Sequence, residues 1–140
     1  MRARVLAGIV SCVGGGLIVA SPAVKALSPV APFVVCFAAG SAAISSSGAK
    51  ALEAAAAQSE RIGRRSRLEV EARTDAAEAR SHDITLSADR GSVVKKRLVE
   101  LGVLADRVQV RAYADSAPLV RSEGAEPQNR CALIRVELDP

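Results

Sequence analysis

Between Arg67 and Arg73 the chain alternates residue by residue. Leu68, Val70 and Ala72 face one way, while Glu69, Glu71 and Arg73 face the other. Such period-two patterning predicts a strand in a sheet that is covered on one face only. Val108, Val110 and Ala112 repeat it, and so do Ala132, Ile134, Val136 and Leu138. The run Phe33-Val34-Val35-Cys36-Phe37 is apolar on both sides and rich in β-formers, which predicts a buried strand. Two helices separate these segments. The first follows the hydroxyl caps Ser45 to Ser47, runs through an alanine-rich stretch and stops at Gly63. The second is predicted from about Asp83, with Leu86, Val93, Val94, Leu98 and Leu101 as its apolar stripe and Gly102 as its end. A polar connection, Ala114 to Asn129, holds Pro118, Gly124 and Pro127. The order β-α-β-α-β-β predicts a two-layer α/β (α+β) sandwich, with a mixed four-stranded sheet and helices on one face. Right-handed crossovers make the first three strands parallel, and the last connection, lacking a strong helix, leaves an antiparallel return open.

The N-terminal region has a different character. Arg2 and Arg4 precede an uncharged stretch from Val5 to Val24, followed by the small residues of Ala23-Val24-Lys25-Ala26. A basic start, an apolar middle and a small-x-small exit predict a signal peptide over residues 1–26. The alternative is an uncleaved anchor, since roughly 20 apolar residues span a bilayer. Gly14 to Gly16 and Pro22 weigh against a stable helix there. Ile9-Val10-Ser11-Cys12 is similar to a lipid-attachment motif, but it lies too close to Arg4 to leave a sufficient apolar run. Residues 27–31 then form a short linker to a domain over residues 32–140.

Export changes what the charge means. The chain of 140 residues carries a formal +4, of which Arg2, Arg4 and Lys25 contribute three. Without them, 16 basic residues face 15 acidic ones, so no anionic partner is indicated. Nucleic acid is excluded on charge and on aromatic content, with only Phe33, Phe37 and Tyr113 available to stack. His82 is the only histidine and there is no C-x-x-C, so neither a metal nor a cofactor is predicted. No nucleophile elbow or paired-acid spacing supports an enzyme. Cys36 and Cys131 remain after export, and an oxidising compartment permits them to pair, a point the sequence leaves open.

The candidate chemistry lies in Thr74-Asp75 and in Arg90, fifteen residues after the aspartate. A carboxylate and a guanidinium at a strand-to-helix junction can grip a ligand that bears both an ammonium and a carboxylate. A planar guanidinium offers a carboxylate a two-pronged fork that lysine cannot reproduce. A partly exposed ion pair between Asp75 and Arg90 is the structural alternative.

The helix pattern Asp83, Leu86, Ser87, Arg90, Gly91, Val94, Leu98 resembles the N-x-x-L-S-x-x-R-A-x-x-V-x-x-x-L signature of the OmpA-like C-terminal domain family. Ser41-Ala42-Ala43-Ile44, Glu71-Ala72-Arg73-Thr74-Asp75, Gly102 to Val108, Arg111 to Pro118 and Glu126 to Arg130 are similar to further family elements in the same order. The sequence departs from that pattern with Asp83 for Asn, Gly91 for Ala, Glu78 for a common Gly, and alanine for glycine at positions 72, 112 and 114. The resemblance implies a non-catalytic envelope protein of the periplasm or outer membrane. It would bind peptidoglycan non-covalently at the meso-diaminopimelate of the stem peptide. It further implies that Asp75 takes the ligand's ammonium and Arg90 its carboxylate. Arg90, within the first two turns of a helix that starts near Asp83, would be helped by free N–H groups and the positive end of the dipole. Thr74 and Asp83 would be flanking polar contacts, with Asp83 alternatively a helix cap, and Arg130 would enter from the opposite wall. The competing reading is a protein-interaction module on a degenerate form of the fold, joined to an envelope complex or to a second copy as a homodimer.

Overall fold

The structure, a computed structural model, describes residues 30–140, apart from the side chains of residues 82–84. The predicted signal segment, the lipid-motif cysteine and most of the linker lie outside the described residues. In chain order the elements are β1 (Phe33–Cys36), α1 (Ser46–Ile62), β2 (Ser66–Arg73), α2 (Ala76–Glu100), β3 (Val108–Ala114) and β4 (Cys131–Leu138). The sheet order is β1-β4-β2-β3. β2 and β3 are parallel, and β4 lies antiparallel between β1 and β2. The first three strands therefore share one direction and the last returns against them, as the crossover rule implies and the final connection, with no more than a short 3-10 turn at Pro127–Asn129, allows.

Both helices pack on one face of the sheet. Val35, Leu68, Val70, Ala72 and Ile134 from the strands meet Leu52, Ala55, Val94 and Leu98 from the helices, all fully buried. The alanines of α1 allow this close approach. Ser45 caps α1, its Oγ accepting from the Gly48 N–H at 3.1 Å. At the crossing of α2 over β3, a Cβ built on Gly91 would stand 2.3 Å from Val110 Cγ1. Only glycine fits that contact as it stands.

Three expectations need correction. β1 is an edge strand whose outer side is open: Val35 is buried, but Val34 and Cys36 are exposed. A run apolar on both sides implies burial on both sides; here the outward cysteine instead meets β4, where Cys36 opposes Cys131 and the two form a disulfide. Leu138 continues the alternation of β4 yet is exposed, because the strand outruns the core there. Finally, α2 begins at Ala76, seven residues before Asp83. Asp75 is its N-cap, and with Glu78 it forms a reciprocal capping box. Asp83 is therefore inside the helix and is not its cap. Arg90 sits about four turns into the helix, too far for the terminal N–H groups or the dipole to assist it.

Candidate functional site

The site forms where β2 gives way to α2. The β2–β3 register slips between Ala72 and Arg73, and Arg73 comes to oppose Ala114. Ala114 there adopts φ 50°, and its carbonyl accepts the Thr74 N–H at 2.9 Å. This bulge turns the chain so that Thr74 and Asp75 point inward, and both are buried. The Thr74 hydroxyl has no hydrogen-bond partner among the described residues. Asp75 Oδ1 accepts the Glu78 N–H at 2.7 Å, and Oδ2 accepts the Glu126 N–H at 3.1 Å. Arg130 Nε lies 3.7 Å from the same Oδ2 and is itself buried without a hydrogen bond among the described residues. A carboxylate has about four acceptor sites, so Asp75 retains capacity for another donor.

Arg90 is fully buried, and its five N–H donors are all engaged. Nε donates to the Ser41 carbonyl at 2.9 Å, Nη1 to the Arg73 carbonyl at 3.1 Å and Nη2 to the Ala38 carbonyl at 3.1 Å. The remaining two form a fork on Glu78, at 2.8 Å to Oε2 and 2.7 Å to Oε1. The Phe37 ring lies 5.2 Å from the guanidinium carbon. Glu78 also accepts the Gly40 N–H at 2.8 Å and the Asp75 N–H at 3.1 Å. Burial works to raise the Glu78 pKa. The Arg90 hydrogen bonds, the two backbone N–H groups and the Arg90 charge outweigh it and hold the group below its ordinary value.

An open cleft of about 350 Å³ borders this network, lined by Ala39, Gly40, Asp75, Glu78, Ser81 and Arg130 among others. Gly40 takes φ 65° at its lip, a conformation in which glycine keeps the N–H aimed at Glu78 without a side chain in the way. Of the residues singled out in the sequence, Asp75 and Arg130 line the cleft together, and Thr74 is buried beside them. Arg90 is one layer deeper, behind Glu78. The Asp83 side chain lies outside the described set. A larger cavity of about 590 Å³ opens at the other end of β2, between Gly63 and Leu104, but it holds none of these residues.

Sequence reasoning missed Glu78, Gly40 and Glu126 as members of the site. The spacing Asp75-Ala-Ala-Glu78 was the available signal, since an acceptor followed three residues later by Glu marks a capping box. Beneath the site, the outer sheet face carries a ladder of ion pairs: Glu71 with Arg73 at 2.9 Å and Arg135 at 3.4 Å, and Glu69 with Arg111 at 2.8 Å. Arg73 also lies over the Tyr113 ring and donates to the Ala117 carbonyl, tying the polar connection to the sheet. Among the described residues no cluster of three or more His, Cys, Asp or Glu side chains could hold a metal, and no helix is long and apolar enough to cross a membrane.

A family model described as the OmpA family matches residues 36–131. No curated protein matches the chain. Among solved structures, the OmpA-like domain of FopA1 from Francisella tularensis superposes with a TM-score of 0.66 at 15% identity, over 75% of this chain and 71% of that one. The C-terminal domain of Helicobacter pylori MotB gives a TM-score of 0.66 at 23% identity, over 78% and 86%. The peptidoglycan-associated lipoprotein from Burkholderia pseudomallei gives 0.62 at 20% identity, over 74% and 89%. At these identities the likeness is one of fold.

Proposed function

Since this chain belongs to the OmpA family, we propose that it is a non-catalytic cell-envelope protein that binds peptidoglycan through the meso-diaminopimelate of the stem peptide. In this reading it is exported by its N-terminal segment and works in the periplasm, against the outer membrane. One observation carries the proposal. Asp75 and Arg130 bring opposite charges to within 3.7 Å in a single open cleft, with an unpartnered Thr74 hydroxyl beside them. Diaminopimelate ends in a carbon that bears an ammonium and a carboxyl group, free or amidated, and Asp75 complements the ammonium while Arg130 offers donors to the carboxyl oxygen. The fold likeness to a peptidoglycan-associated lipoprotein supports the same reading.

Asp75 takes the ammonium, and Arg130 meets the ligand from the opposite wall of the cleft. Arg90, the carboxylate receptor that the family resemblance implies, takes part to the extent that Glu78 leaves its fork, and Asp83 is a flanking contact. The test is co-sedimentation with isolated sacculi. The protein is expected in the pellet, and Asp75→Asn is expected to release it. Asparagine keeps the capping oxygen, so helix stability is little changed. Arg90→Ala is a poorer probe, because it strands Glu78 as a buried unpaired charge, at a cost of about 3–5 kcal/mol.

The closure of Glu78 on Arg90 favours one further reading, the protein-interaction module. That reading expects no pelleting with sacculi and recovery of a discrete partner, or of a dimer, by cross-linking.

A further inference from the structure

Four donors converge on one point beside the cleft: the two N–H groups of the Arg90 fork, the Gly40 N–H and the Asp75 N–H. Two backbone N–H groups and a guanidinium fork make a complete receptor for one carboxylate. Its occupant is Glu78. A capping box alone needs a single bond from Glu78 back to the Asp75 N–H. Here the other oxygen reaches Gly40, 38 residues away, and both oxygens grip Arg90. Glu78 lines the cleft and Arg90 does not, so the internal carboxylate stands between any ligand and the guanidinium. The neighbouring Asp75 leaves two acidic side chains at the same wall.

We infer that Glu78 sets the specificity of this cleft: it fills the carboxylate receptor from within, so the cleft selects ligands that present an ammonium without an adjacent free carboxylate. The inference rests on the proposed stem-peptide binding and names the form of that ligand the site takes. A ligand carboxylate entering here meets Glu78 and Asp75 at close range, and like charges so placed are strongly disfavoured. A stem peptide whose diaminopimelate carboxylate is amidated keeps the ammonium for Asp75 and brings no opposing charge. Its carboxamide also offers an oxygen to the unbonded Arg130 Nε.

The experiment titrates the intact protein by calorimetry with two soluble stem tripeptides that differ only in a free or an amidated diaminopimelate carboxylate. The wild-type protein is expected to bind the amidated form roughly tenfold more tightly or better. Glu78→Gly, which empties the receptor, is expected to reverse the preference, and Glu78→Gly/Arg90→Ala to lose the gain for the free acid. Should Glu78→Gly not fold, Glu78→Gln keeps the size, removes the charge and is expected to abolish the preference. Equal binding of both forms by the wild type, or tighter binding of the free acid, overturns the inference and leaves stem-peptide binding standing. Binding of neither form overturns the proposed function, and this inference with it.

Discussion

At Ala114 the backbone adopts φ 50°, a region where the Cβ of an L-residue is costly and glycine is at ease. The sequence places alanine where the family pattern has glycine at positions 72, 112 and 114, but only Ala114 takes a positive φ. Ala72 and Ala112 lie in regular β2–β3 pairing, where alanine is unremarkable. Ala114→Gly is therefore expected to raise unfolding free energy by about 0.5–1 kcal/mol, the relief of the left-handed conformation less the greater freedom of glycine when unfolded. Urea denaturation measures this, and a loss of stability would show that the Cβ makes a contact worth more than the relief. Glu78 marks where local reading ends. Its identity as an unusual residue was visible in the sequence. Its partners were not, because Gly40 and the Arg90-bound Ala38 and Ser41 carbonyls come from the turn after β1, far along the chain. The same distance hid the fact that Arg90 is already saturated.

Among the elements, α2 shows why a correct motif can sit in a wrongly bounded helix. Of the stripe that identified the helix, Leu86, Val94 and Leu98 are buried, while Val93 and Leu101 are half-buried. That stripe opens just after Asp83 and so predicts a start there. Ahead of it the chain has Ala76-Ala77-Glu78-Ala79-Arg80, a run of strong helix formers behind an Asp cap, and the helix extends back to it. The strands were more legible, since period-two patterning reports directly on a one-faced sheet. It failed at Leu138, where β4 outruns the core, and at Arg73, which is buried at the bulge; the unalternating run of β1 misled at Val34, on the sheet edge. Gly91 supplies the test at this scale. Helix propensity alone predicts that Gly91→Ala stabilises by about 1 kcal/mol. The new Cβ would meet the stiff Val110 side chain at 2.3 Å, and overpacking of that kind costs about 1–3 kcal/mol. A net loss of up to about 2 kcal/mol is expected in chemical denaturation, and a net gain would show that β3 yields easily.

For the whole molecule, the strand directions followed from chain order and crossover handedness, whereas the insertion of β4 between β1 and β2 did not. That placement leaves β1 at the edge with its main support on one side, and the Cys36–Cys131 disulfide secures it there across a sequence separation of 95 residues. Closing so long a loop restricts the unfolded chain by roughly 4–5 kcal/mol. Reduction is expected to lower the urea midpoint by a corresponding amount, read by comparing unfolding with and without a thiol reductant; coincident curves would contradict it. A bond of this kind suits an oxidising compartment, in keeping with the export proposed from the N-terminal segment. Binding to the cell wall is the claim on which the functional account turns, and sedimentation with diaminopimelate-type sacculi tests it most directly. The wild-type protein should pellet with the sacculi, while Asp75→Asn, verified as folded by circular dichroism, should stay in the supernatant. Wild-type protein left in the supernatant, or both proteins pelleting alike, would contradict the account.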